Sequence, residues 1–135
     1  MAMHQYSQNA RETIAQSSFR IEPGIYVYTK VKSIPPGRHF FVSQDGDEIT
    51  VVTEQMRLAE FDFIERNKDD YSLIALNVSV PFYSVGFLAT VCEEFAKHGM
   101  NVLIVSTYSR DYVLVRADLT TTAKDILLQL GFKQD

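Results

Sequence analysis

Two short clusters in this sequence have the residue types to hold a small molecule carrying opposite charges. The first is Ser84-Val85-Gly86, directly ahead of a stretch whose apolar residues recur every three to four positions. Backbone N–H groups at a helix start lack intrahelical partners, and with the helix dipole they favour an anion such as a carboxylate. Gly86 has no side chain, so a ligand could approach its backbone closely. Ser84 could cap the helix or donate its hydroxyl. The second cluster is Ser106-Thr107, ending one apolar run, with Asp111 just after the following turn. Their carbonyls and hydroxyls, and the Asp111 carboxylate, suit an ammonium. Phe82 and Tyr83, in the loop before Ser84, are placed to select whatever else the ligand carries. Each residue has a structural alternative. Ser84 can serve only as an N-cap, Gly86 only permit close helix–strand packing, Phe82 and Tyr83 only pack, and Asp111 only bond the turn backbone.

Other chemistry finds little support. His4, His39 and His98 have no metal-ligand spacing to another His, Cys or carboxylate pair, so no metal and no cofactor is expected. His98 at a helix end is explained by the helix dipole. Ser17-Ser18 and Ser106-Thr107 sit in no GxSxG pattern, and the six glycines form no phosphate loop. Asp69-Asp70 and Glu93-Glu94 read as solvated charges. Cys92, the single cysteine, reads as a small buried hydrophobe without a base to activate it. No catalytic residue is expected, and the chain is read as a non-enzyme.

The elements that must position these clusters follow from periodicity. A short helix is predicted from Gln8 to Gln16. Ile25 to Val31, rich in β-branched and aromatic residues after Pro23-Gly24, reads as a strand. Ile34-Pro35-Pro36-Gly37 breaks regular structure. Phe40 to Ser43 and Glu48 to Thr53 flank Asp45-Gly46, which marks a β-hairpin. Residues 54–70 read as a polar connector. Tyr71 to Val78 reads as a strand buried on both faces, and Val85 to His98 as an amphipathic helix stopped by Gly99. Asn101 to Thr107 and Tyr112 to Ala117 form a second hairpin. Thr122 with Asp125 has capping-box spacing and opens a last helix ending at Gly131.

Length and charge set the frame. The chain has 135 residues, is 46% hydrophobic and 22% charged, which suits one compact domain or two very small ones sharing a core. Thirteen Lys and Arg against seventeen Asp and Glu give a net charge of −4, against a life on phosphate backbones. Tyr26, Tyr28, Phe40 and Phe41 near Lys30, Lys32 and Arg38 could stack bases, but that charge and the expected helix cover argue otherwise, so no nucleic acid is expected. The first eighteen residues hold no apolar signal region, and the longest aliphatic run, Val102 to Val105, is far too short to span a bilayer. A reducing, cytoplasmic setting without membrane contact is expected.

Residues 71–131 therefore read strand–helix–strand–strand–helix, a ferredoxin-like βαββαβ unit lacking its last strand, since Phe132 to Asp135 looks too short and polar. The three strands of the first half are the expected donors that complete the sheet. Tyr71-Ser72-Leu73-Ile74-Ala75-Leu76-Asn77, Val85-Gly86-Phe87-Leu88-Ala89, Asn101 to Tyr108 and Asp111 to Val115 resemble the ACT domain. The resemblance is to small stand-alone proteins with two ACT-like halves, and to the ACT domains of aspartate kinases and cytosolic arginine sensors. Gly24 to Tyr28 and Asp47 to Val52 resemble that group's degenerate first half. The resemblance implies an α+β, ferredoxin-like (ACT-like) βαββα C-terminal half, with a degenerate ACT-like N-terminal half sharing its sheet or core. The expected division is 1–18 as a tail or short helix, 19–68 as the degenerate half and 69–135 as the ACT domain. It also implies regulatory binding of a free amino acid between ACT units, in a homo-oligomer such as a dimer. The competing expectation is a protein-interaction module with no small-molecule ligand.

Overall fold

The computed structural model describes residues 2–78 and 84–135, with side chains of the first helix from Asn9 onward. The chain divides into two compact units, one of residues 1–22 with 73–135 and one of residues 23–72.

In the first unit, helix α1 (Ala2–Ala15) is followed by strand β1 (Ser18–Ile21). The helix is longer than the Gln8–Gln16 segment that the sequence suggests. The rest of the unit takes in most of β6 (Tyr71–Asn77), then α2 (Phe87–Lys97), β7 (Leu103–Ser106), β8 (Asp111–Arg116), α3 (Thr120–Leu130) and β9 (Lys133–Gln134). The strand order is β7-β8-β6-β1-β9. All six elements of a βαββαβ unit are therefore present, and β9 supplies the strand that looked missing. β1 is inserted beside β6, antiparallel with Ser18 opposite Asn77 and Ile21 opposite Ile74, and it pairs in parallel with β9. On this side β6 pairs with β1 from Ile74 to Asn77 and, at its start, with β2 (Tyr26–Val31), Tyr26 lying opposite Tyr71, so one of the three strands expected as donors does join β6. Ser18-Phe19-Arg20-Ile21 alternates polar and apolar over only four residues, too short a pattern to announce a strand.

The core of this unit explains its helices. Phe87, Val91 and Phe95 on α2 and Ala123, Ile126 and Leu127 on α3 pack with Ile74, Leu76, Val113 and Val115 of the sheet. β6 is buried from Ser72 through Leu76, as its unbroken apolar run requires. Ile14 from α1 and Phe19 from β1 are fully buried in the same cluster. Burying a side chain of this size stabilises by about 1.5–3 kcal/mol, so Ile14 and Phe19 are integral to this core. α3 starts at Thr120, earlier than the Thr122 capping box, after a 3-10 turn over Ala117–Leu119. Leu119 holds the N-cap position and offers no side-chain cap, while Thr120 Oγ1 donates to Ala117 O at 2.8 Å.

The second unit is a small antiparallel sheet. β2 (Tyr26–Val31) pairs with β4 (Glu48–Glu54), and β4 with β3 (Phe41–Asp45), the hairpin turning at Gly46-Asp47 as expected. A 3-10 helix (Gln55–Glu60) and β5 (Glu65–Arg66), which pairs with β2, occupy the segment read as a connector. Val27, Thr29, Val31, Val51 and Thr53 are buried, and Thr29 Oγ1 donates to Val51 O at 2.8 Å. The opposite alternation brings Tyr28 against Tyr71 (ring centroids 5.6 Å apart) and Tyr26 against Phe40 (6.2 Å).

Candidate functional site

The start of α2 is built by a glycine. Gly86 occupies the N-cap with φ +84° and ψ 0°, a left-handed conformation that favours glycine over residues with a Cβ. Its backbone carbonyl accepts from Thr90 N–H at 3.0 Å, and Phe87 N–H reaches Ser84 O at 3.3 Å. A glycine cap contributes no side-chain acceptor, so the first turn of α2 begins without a cap hydrogen bond from its N-cap residue. Ser84 is therefore not the N-cap. Its hydroxyl donates to Thr13 Oγ1 on α1 at 3.3 Å, and Thr13 Oγ1 donates in turn to Asn9 O at 3.0 Å. Val85 is exposed. Phe82 and Tyr83, expected as selectivity residues, lie outside the described residues.

The second cluster closes the β7–β8 hairpin. Ser106 and Asp111 face one another in the register, and Ser106 Oγ donates to Asp111 Oδ1 at 2.6 Å. Asp111 is 6% exposed, so its carboxylate faces protein across the strand pair more than it faces water. One hydroxyl fills one of its roughly four acceptor positions, and an ammonium could fill others. The alternative in which Asp111 bonds the turn backbone is not what the hydrogen bonds record. That part falls to Thr107, whose N–H and Oγ1 both donate to Arg110 O, at 2.8 and 3.1 Å. Tyr108, at the tip, is 85% exposed. Arg110 donates to Tyr112 Oη at 3.5 Å; that bond first, then the phenol and Glu22, raise its guanidinium above its usual pKa and keep it charged.

The second cluster is thus bonded within itself, Ser106 to Asp111 and Thr107 to Arg110, while Ser84 of the first is bonded outside its cluster, to Thr13 of α1. Sequence reasoning missed Thr13, and it missed a further polar group. Asp135 Oδ2 accepts from Ser18 Oγ at 2.8 Å and from Asn77 Nδ2 at 2.9 Å, where β1, β6 and β9 meet. These partners lie 117 and 58 residues from Asp135, beyond any local pattern. Among the described residues, no cluster of three His, Cys, Asp or Glu side chains could hold a metal ion. Cys92 is half-buried, and burial raises its thiol above the usual pKa, which makes it a poor nucleophile. No helix among the described residues is long and apolar enough to cross a membrane.

Residues 67–129 match the ACT domain family. No protein of curated function matches the sequence. Among solved structures, a protein of unknown function from Vibrio cholerae, described as a possible transport protein, is 18% identical with a TM-score of 0.77, over 93% of this chain and 98% of that one. A protein from Agrobacterium tumefaciens is 21% identical with a TM-score of 0.66, over 88% of this chain and 92% of that one. The regulatory subunit of aspartate kinase from Thermus thermophilus, in its ligand-free form, is 11% identical with a TM-score of 0.63, over 83% and 95%. These likenesses establish the fold.

Proposed function

With an ACT domain over residues 67–129, we propose that this chain is a non-enzymatic regulatory protein that binds a free amino acid. The observation that carries the reading is the buried Asp111 carboxylate, bonded by the Ser106 hydroxyl at the mouth of the β7–β8 hairpin. It is a fixed negative group suited to an ammonium. The α2 start supports it, because Gly86 leaves first-turn N–H groups without a side-chain cap, as a ligand carboxylate requires. The fold shared with the regulatory subunit of an aspartate kinase points in the same direction. In this reading Ser84, Val85 and Gly86 contact the carboxylate, Ser106, Thr107 and Asp111 the ammonium, and Phe82 and Tyr83 the side chain. The protein is cytoplasmic and self-associates as a dimer.

One observation favours a second reading, a protein-interaction module without a small ligand. The Ser84 and Thr107 hydroxyls are already engaged by Thr13 and by the Arg110 carbonyl. A thermal-shift series with each of the twenty amino acids separates the two. A ligand at about 100 times its Kd stabilises by about 2.7 kcal/mol, and one amino acid is expected to do so. Asp111→Asn, which keeps the shape and an acceptor for Ser106, is expected to abolish that shift while the unliganded melting temperature stays within a few degrees. No shift with any amino acid at millimolar concentration selects the interaction module.

A further inference from the structure

β9 is held almost entirely by residues far from it in sequence, and it hangs from α3 by two residues, Gly131 and Phe132. Phe132 is 3% exposed, with its ring edge-on to Phe19 at 6.4 Å and to Phe87 at 5.8 Å. Lys133 N–H donates to Ser17 O at 3.1 Å and Asp135 N–H to Phe19 O at 2.9 Å. The Asp135 carboxylate closes the arrangement on Ser18 and Asn77. The slot thus takes the Phe132 ring and the Asp135 carboxylate by side chain and the residues between them by backbone, and a second copy of the chain carries the same segment. Short hinges favour exchange of such a segment between copies, because the contacts made are identical in the closed and exchanged forms.

We propose that β9 is an exchangeable strand, so that two copies of this chain pair by each seating its residues 132–135 in the β1-edge slot of the other. The hinge decides the balance. In the closed form Gly131 has φ +116°, and its N–H and that of Phe132 bond Leu128 O and Leu127 O, both at 3.1 Å. Opening gives up those two bonds and lets residue 131 extend. A Cβ at 131 would meet only Ile14 Cγ2, at 3.8 Å, so a substitution there acts through backbone conformation and not through a clash. The exchange is independent of any ligand and stands even where no amino acid binds.

Ser18 and Lys133 are paired in the parallel ladder, so Ser18→Cys with Lys133→Cys in a Cys92→Ala background reports which chain each strand comes from. Oxidation after equilibration should give a cross-linked monomer in dilute protein and a covalent dimer whose share grows with concentration. A cross-linked monomer alone at every concentration, or no cross-link at all, overturns the proposal. Gly131→Ala, read by light scattering on the otherwise native full chain, should raise the dimer fraction several-fold. An unchanged dimer fraction in a folded Gly131→Ala protein overturns it equally.

Discussion

Gly86 stands at the α2 N-cap for a backbone reason. At φ +84° a residue with a Cβ carries a left-handed penalty of about 1 kcal/mol or more, whatever space surrounds it. Gly86→Ala is therefore expected to lower stability by about that amount, while Gly86→Asn, which tolerates this region, lowers it less. Urea midpoints of the two variants measure the order, and equal losses would show that space, not conformation, fixed the glycine. Tyr28 gives a second prediction at this scale. Burial, and then the neighbouring Tyr71, push its phenol above the ordinary value of about 10. The unfolded chain therefore gives up this proton first as pH rises. The contribution of Tyr28 is complete below about pH 10 and is lost as pH climbs through the raised value in the folded state. Tyr28→Phe should flatten the alkaline fall in urea midpoint, and an identical alkaline slope in the variant contradicts the assignment.

At the scale of elements, the composition of the first unit matters most. Glu22 N–H donates to Leu73 O at 2.8 Å, so the end of β1 and the start of β6 already face one another as an antiparallel pair. A chain in which Asn-Gly replaces residues 23–72 would close that pair as a two-residue hairpin. This shortened chain, residues 1–22 joined to 73–135, is expected to unfold cooperatively. Residues 69–135 alone lack Ile14, Phe19 and the β1 ladder, and are expected to bind a hydrophobic dye and melt without a sharp transition. A sharp, two-state melt from residues 69–135 alone would show β1 to be dispensable. The contrast follows the legibility of the elements. β6, α2, β8 and the β3–β4 hairpin were readable because each is long enough to repeat its period or carries a turn signal such as Asp45-Gly46. β1 and β9 were not, because four and two residues repeat nothing; only their ladder partners make them strands.

For the molecule as a whole, the order strand–helix–strand–strand–helix and the identity of the apolar faces were written in local periodicity. The ACT resemblance over the second half rested instead on particular residue blocks, such as Val85-Gly86-Phe87-Leu88-Ala89. Hydrophobic burial acts on side chains a few residues apart on one face, which is why a sequence can declare it. The tertiary structure alone decided which strand lies beside β6, which residue caps α2, and which partner each polar group takes. Ser84 meets Thr13 across 71 residues and Asp135 meets Ser18 across 117. Hydrogen bonds are short and directional, so their partners are fixed by where the packed elements bring the chain, and no spacing along the sequence encodes that position.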